Sequence, residues 1–269
     1  MAPIRITPLN IGKLRFDLTD IYSLPSGHPN SGQIAEIPMY SYHIMIPGRS
    51  VLVDAVSYDH ELITEEYLIS EYSPPPSLLD QLSACGIETE EVTDVIITHA
   101  HTDHYGALCK KMGEYRQLSF PQAQHYLNAA DWWPEAFTEL EERTLRLVEQ
   151  NGLLNLPEGE VDLGDGLTIL PMPGETPGHQ ILRLAQDDNG KCCYFAGDLY
   201  HHHIELVDEA IDANWVDVNE MRASKTALMN HLASDQGVVY FTHIAGAYGI
   251  FEQEEGKFDW RELSSNHLV

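Results

Sequence analysis

The segment Thr98-His99-Ala100-His101-Thr102-Asp103-His104 places three imidazoles and a carboxylate within six residues, directly after the apolar run Val95-Ile96-Ile97. Neutral imidazole nitrogen and carboxylate oxygen are the donors that a borderline-soft divalent ion such as zinc takes. Side chains two apart on an extended chain point the same way, so His99 and His101 can grip one ion. Asp103 and His104 lie past the turn, where the chain can swing them to another side. One loop of this kind can serve two metals. Three further segments share a simpler form, a strand followed by a sharp turn and one side chain able to bind metal. They are Pro173-Gly174-Glu175-Thr176-Pro177-Gly178-His179, Tyr194-Phe195-Ala196-Gly197-Asp198 and Phe241-Thr242-His243. With the first loop they supply five histidines and two aspartates, the inventory of a two-metal site.

Such side chains need strands that end together. The pattern predicts strands at residues 4–18 and 38–56, the latter finishing in Ser50-Val51-Leu52-Val53-Asp54, a buried strand with a carboxylate at its tip. Between them, residues 20–38 are rich in Pro, Gly, Ser and Asn and read as a loop. Helical patterns cover residues 60–70 and 77–85 on either side of Ser73-Pro74-Pro75-Pro76, then 106–112, and then 126–133 and 135–150, interrupted at Pro134. Further strands are expected at 118–120, 161–172, 180–184, 191–196 and 237–241, with an amphipathic helix over 219–234. Alternating strands and helices, with hairpin-like strands in the middle, give an α/β layered fold with mixed sheets. No linker divides the chain, so a single domain over residues 1–269 is expected.

The charge is the unusual number. Fifteen Lys+Arg stand against 42 Asp+Glu, a formal net of −27. Such a surface repels nucleic-acid phosphates and anionic membranes, so neither is an expected partner, and a neutral small molecule suits it better than a polyanion. No apolar run approaches the ~18 residues of a membrane span. The start of the chain carries no continuous hydrophobic signal region, and Cys85, Cys109, Cys192 and Cys193 show no C-x-x-C spacing. Free thiols and a cytoplasmic location follow as expectations. No motif speaks to the oligomeric state.

In order and spacing, His99-x-His101-x-Asp103-His104, Gly178-His179, Gly197-Asp198 and Thr242-His243 resemble the metal-binding signature of the metallo-β-lactamase superfamily, over roughly residues 38–245. The resemblance implies an αββα sandwich of two mixed β-sheets flanked by helices, with the site at the edge between the sheets. It implies that His99, His101 and His179 bind one metal, that Asp103, His104 and His243 bind a second, and that Asp198 bridges them. It makes Asp54 an acceptor that fixes the tautomer of a liganding histidine. Two Zn2+ per chain are expected, although iron, manganese and cobalt accept the same donors.

That centre implies a hydrolase in which a metal-bridging hydroxide attacks a carbonyl, with Asp103 able to shuttle a proton. No G-x-S-x-G elbow suggests a serine nucleophile instead. In the lactonase-like and organophosphate-hydrolase-like branches, the residue three after the bridging aspartate faces the pocket. Here it is His201, which resembles the pyridoxolactonase and parathion-hydrolase side. It can donate a hydrogen bond to the substrate carbonyl, with Tyr200 and His202 as competitors after a one-residue slip. Opening of a small cyclic ester, a lactonase reaction, is the leading expectation. A lactamase or cyclic amide or carbamate hydrolase is the alternative, with thioester and organophosphate hydrolysis behind. Trp132, Trp133, Tyr105, Tyr22 and Trp215 are candidates for an apolar pocket wall.

Overall fold

Alternating apolar side chains produce two long neighbouring strands, β1 (Arg5–Asp17) and β2 (Ile34–Ile46), paired antiparallel from Arg5 opposite Met45 to Asp17 opposite Ile34. The protein is seen in a computed structural model that describes residues 4–58, 67–113, 115–185, 191–208, 210–246, 248–254 and 257–263. A turn at Gly48, with φ 84°, returns the chain into β3 (Arg49–Val53), antiparallel to β2. β4 (Asp94–Ile96) then lies parallel to β3. β5 (Cys109–Met112) and β6 (Tyr115–Leu118) form a separate hairpin. β7 (Gln124–Tyr126) and β8 (Leu154–Asn155) complete the first sheet in parallel, giving the order β1-β2-β3-β4-β7-β8.

The second sheet starts with the meander β9 (Val161–Gly164), β10 (Leu167–Pro171), β11 (Gln180–Leu184) and β12 (Cys193–Phe195). β13 (Val238–Tyr240) pairs parallel to β12, and the hairpin β14 (Tyr248–Glu254) and β15 (Lys257–Glu262) closes the sheet. Both sheets are therefore mixed. Parallel strands covered on both faces need apolar side chains in both directions, which is why Val95-Ile96-Ile97 is continuous rather than alternating.

Between the sheets, Ile44, Val51 and Ile96 of the first meet Ile169, Leu182 and Phe195 of the second. The helices are α1 (Leu18–Ile21), α2 (Leu78–Ala84), α3 (Thr102–Tyr105), α4 (Glu139–Arg143), α5 (Leu145–Gln150), α6 (His203–Val207) and α7 (Val218–Asp235). On the outer face of the first sheet, Leu78, Leu82, Leu145 and Val148 of α2 and α5 cover Leu52 and Val95. On the outer face of the second, Met221, Leu228 and Leu232 of α7 cover Tyr194 and Val239. Each such leucine, fully removed from water, contributes about 1.5–3 kcal/mol. The layers run helix, sheet, sheet, helix, which is the αββα sandwich that the sequence implied.

Several elements differ from the sequence pattern. The segment expected to be helical at 106–112 is a short 3-10 turn, Gly106–Leu108, followed by strand β5, because Gly113 at φ 69° lets the chain fold back onto β6. Residues 126–133 enter as strand β7 and then a 3-10 turn, Ala129–Asp131, because pairing with β4 overrides local helical propensity. The helix expected at 135–150 breaks at Thr144, with φ −124° and ψ −81°, into α4 and α5. β2 begins at Ile34, inside the expected loop, because those residues pair with the end of β1. Much of the helix expected at 60–70 lies outside the described residues. No described helix is long and apolar enough to cross a membrane, and all four cysteines are free.

Candidate metal centre

Four strands end on the same rim. Asp54 follows β3, the His99–His104 loop follows β4, Asp198 and His201 follow β12, and His243 follows β13. The turn between β10 and β11 brings Glu175 and His179 to that rim. Within each sheet the two strands concerned run parallel, β3 with β4 and β12 with β13, so their carboxyl ends open together.

Three histidines are anchored alike. Nδ1 of His104 lies 2.9 Å from Asp54 Oδ2, Nδ1 of His179 lies 2.9 Å from the Met172 carbonyl, and Nδ1 of His243 lies 2.8 Å from the Pro38 carbonyl. An oxygen acceptor at Nδ1 keeps the proton there and turns Nε2 inward with its lone pair, the form in which imidazole binds a metal. Asp54 sits in the left-handed region at φ 57°. That backbone aims its carboxylate to accept from both the Thr98 N–H at 2.8 Å and the Thr98 hydroxyl at 3.0 Å, as well as facing His104.

Asp198 is the hub. Its Oδ2 lies 3.2 Å from Nε2 of His104 and 3.2 Å from Nε2 of His243, and 3.7 Å from Nε2 of His99. Asp103 Oδ2 lies 3.3 Å from His243 Nε2 and 3.5 Å from His104 Nε2. Donor atoms of Asp103, His104 and His243 all fall within 4.8 Å of one another, and so do those of His99, His101, Glu175 and Asp198. His179 stands beside the second of these groups, its ring 5.2 Å from that of His99, with its Nε2 accepting the Asp198 N–H at 3.2 Å.

Electrostatics follow from this crowding in the dry rim. Burial raises the Asp198 carboxyl, but His104 and His243 override it and hold it well below the usual carboxylate range. Burial opposes charge on His104, yet Asp198, Asp103 and Asp54 together raise it well above an ordinary imidazole. His99 goes the other way, because burial and the neighbouring His104 and His101 disfavour its charged form. The site thus concentrates carboxylates whose charge only cations compensate.

Glu175 carries no sequence signal beyond an acidic side chain in the same Pro/Gly-dense turn as His179. Its Oε1 lies 3.1 Å from His101 Nδ1 and accepts from Trp215 Nε1 at 2.7 Å. Its Oε2 lies 3.1 Å from His201 Nε2, misaligned for a hydrogen bond. Of the three residues in question after Asp198, it is His201 that lines the cavity. Tyr200 instead packs its ring against Phe241 and Phe251 with Lys225 above it, because the turn at Gly197–Asp198 directs that position into the core behind the second sheet. His202 caps α6 through the Ile204 N–H. Trp215 lines the cavity, whereas Tyr22 and Tyr105 are buried, Trp132 packs on Phe137, and Trp133 is exposed.

The cavity above these groups encloses about 400 Å3. One wall is apolar, made by Leu14, Phe16, Ile21 and Ile37; the other carries Asp103, Asp198, His201 and His243. Two further features hold the surrounding loops in place. Asp131, which no sequence motif marks, accepts from the Ala100 N–H at 3.0 Å, the Thr176 hydroxyl at 2.7 Å and the Gly178 N–H at 2.7 Å, tying the His99–His104 loop to the turn that carries Glu175 and His179. Gly197 holds φ 51° where a Cβ would meet His179 Nε2 at 2.8 Å and Thr98 Cβ at 2.9 Å.

The donor set suits divalent metal: imidazole nitrogens and carboxylate oxygens, with no cysteine among them. A buried oxygen, Asp198 Oδ1, has no hydrogen-bond partner within the protein. Buried carboxylate oxygens left in that state call for a cation.

Two mixed sheets between helices, with such donors gathered on the loops at one rim, define an αββα sandwich carrying a cluster of side chains able to hold metal. Residues 40–243 match the metallo-beta-lactamase superfamily, and the chain belongs to that family. Among characterised relatives, an N-acyl homoserine lactonase of Bacillus sp is 23% identical over 168 residues, covering 59% of this chain and 63% of the relative. One from Bacillus cereus is 21% identical over the same extent. The chain thus spans somewhat less than two thirds of the length of these relatives. Among solved structures, the hydrolase AbOPH of the beta lactamase superfamily superposes with a TM-score of 0.75 at 17% identity, over 98% of this chain and 96% of that one. AidC, a dizinc quorum-quenching lactonase, superposes with a TM-score of 0.73 at 16% identity, over 97% of this chain and 95% of that one. At these identities the superpositions establish the fold.

Proposed function

We propose that this protein is a metal-dependent hydrolase that opens a small, neutral cyclic ester, using two zinc ions. His99, His101 and His179 hold one ion, with Glu175 able to join them; Asp103, His104 and His243 hold the other, and Asp198 serves both. The observation that carries the reading is a pair of adjoining donor clusters, Asp103, His104 and His243 in one and His99, His101, Glu175 and Asp198 in the other, with Asp198 Oδ2 also 3.2 Å from Nε2 of both His104 and His243. When bound, two such ions supply a water acidified to a pKa of about 7 and a Lewis acid for a carbonyl.

The protein's own groups do the rest. Asp54 and the carbonyls of Met172 and Pro38 fix the orientation of three liganding imidazoles. Leu14, Phe16, Ile21 and Ile37 take the apolar part of the substrate and exclude water from one side of the cavity. Burial disfavours charge on His201, and Glu175 and Glu205 beside it outweigh that cost and raise it well above an ordinary imidazole; in the proposed reaction its Nε2 carries the proton. That N–H donates to the ester carbonyl oxygen as charge builds there. As the acyl carbon takes up the water oxygen and its bond to the ring oxygen breaks, Asp103 on the cavity wall passes the released proton to the leaving alkoxide. The relatives' name for an N-acyl homoserine lactonase supports a lactone as substrate.

An acid-release screen with phenol red over lactones, lactams and thioesters tests the reading. Release from lactones supports it, release from lactams alone moves the activity to cyclic amides, and release from none, in zinc-loaded protein, contradicts it. In the same assay His201→Ala lowers turnover and keeps its zinc; loss of zinc in that variant contradicts the role given to His201.

A further inference from the structure

Beneath His201 lies a carboxylate that does not line the cavity. Glu205 is 2% exposed, on α6, one turn after His201. Its Oε1 accepts from the His201 backbone N–H at 3.0 Å and from the Tyr22 hydroxyl at 2.6 Å, and lies 3.1 Å from His201 Nδ1. Its Oε2 lies 2.7 Å from Lys225 Nζ on α7, which is itself 3.4 Å from Asp212 and sits over the Tyr200 ring.

Three residues from separate parts of the chain, Tyr22, His201 and Lys225, therefore converge on one buried carboxylate. An isolated buried ion pair is an expensive way to fill space, since apolar side chains of similar volume stabilise a core as well or better. What the charge accomplishes here is directional. Both His201 contacts fall on the same oxygen, so the ring is clamped to its own backbone with Nδ1 inward, and Nε2 is left to the cavity, 3.1 Å from Glu175 Oε2 and 3.8 Å from Asp198 Oδ2. Lys225 and Tyr22 prevent Glu205 from turning away. Tyr200, placed in the core, supports Lys225 from below.

We propose that Glu205, backed by Lys225 and Tyr22, is a positioning residue that holds a proton on His201 Nδ1 and so presents Nε2 to the substrate. The inference rests on the reading of His201 as the group that meets the carbonyl. A carboxylate behind a working imidazole fixes its orientation and stabilises its doubly protonated form, leaving Nε2–H to donate, without touching substrate.

The test uses zinc-loaded enzyme with 15N-labelled histidine, in which the His201 resonances are assigned by their loss in His201→Gln. The proposal expects a proton on His201 Nδ1 in the wild-type protein. Glu205→Gln then lowers kcat for lactone opening by about 10–100-fold, leaves KM within about twofold and zinc content unchanged, and shifts the Nδ1–H signal. A bare His201 Nδ1 in the wild-type protein overturns the proposal without recourse to any variant. Unchanged kcat in Glu205→Gln also overturns it, as does loss of zinc alongside loss of rate. If the wild-type enzyme opens no lactone, the hydrolase reading falls instead, and the Nδ1 proton still decides whether Glu205 positions His201.

Discussion

Oδ2 of Asp198 lies 3.2 Å from Nε2 of His104, although 94 residues separate them in the chain. One residue is delivered by the first sheet and the other by the second, so this contact exists only when the sandwich is closed. The other partner of His104, Asp54 at 2.9 Å on the Nδ1 side, comes from the same sheet as His104 itself, from the end of β3 beside β4. Fold and site are therefore coupled through a single imidazole held between two carboxylates.

Asp54→Asn keeps a residue that tolerates φ 57° but removes the charge facing His104 and Thr98. Zinc affinity is expected to fall by about 10–100-fold. Competition with a chromogenic chelator measures it, and an unchanged affinity would show that Asp54 serves the backbone alone.

Gly197→Ala places a methyl 2.8 Å from His179 Nε2, on a backbone with φ 51°. The strain and the clash together are expected to cost about 1–3 kcal/mol, and the displaced His179 to weaken zinc binding. Urea unfolding of the two proteins side by side reads the first effect and zinc content the second.

Asp131→Ala removes the acceptor shared by Ala100, Thr176 and Gly178, leaving three donors from two loops without it. A stability loss of about 3 kcal/mol is expected, together with faster amide exchange at Ala100 and Gly178. Hydrogen exchange confined to other parts of the molecule would contradict the linking role.

His43 is buried on β2 with Nε2 2.8 Å from the Ser50 hydroxyl, and burial followed by the nearby Arg5 lowers its pKa to about 4. The unfolded chain, with an ordinary imidazole near 6.5, binds the extra proton first as pH falls. Stability is therefore lost as pH drops through the window between about 6.5 and about 4, and is level outside it as far as this group is concerned. Between pH 7 and about pH 4.5 the wild-type protein should lose about 2–3 kcal/mol more than His43→Gln. Denaturant titrations at the two pH values decide it.

Much of this was legible in the chain. The strand-then-ligand form of Val95–His104, Tyr194–Asp198 and Phe241–His243 is local, and each segment folds as its own pattern dictates. Glu175, Asp131 and Glu205 were not legible, because their roles come from contacts across sequence: Glu175 with His101 and His201, Asp131 with two distant loops, Glu205 with Tyr22 and Lys225. Nothing within a few residues of Asp131 marks it as a clamp. The hairpin of β5 and β6 is hidden for a similar reason, since a short segment such as Gly106–Met112 carries helical spacing until a partner strand is available to pair with it. The choice among Tyr200, His201 and His202 also needed the fold, because one residue of slip in the turn exchanges their directions.

The most direct measurement is a titration of zinc into metal-free protein, reading bound zinc per chain and the rate of lactone opening in the same samples. The two-ion account predicts no opening without zinc and a rate that reaches its maximum as binding saturates at two ions per chain. Full activity in metal-free protein, or protein holding two zinc ions that opens no lactone, would contradict it.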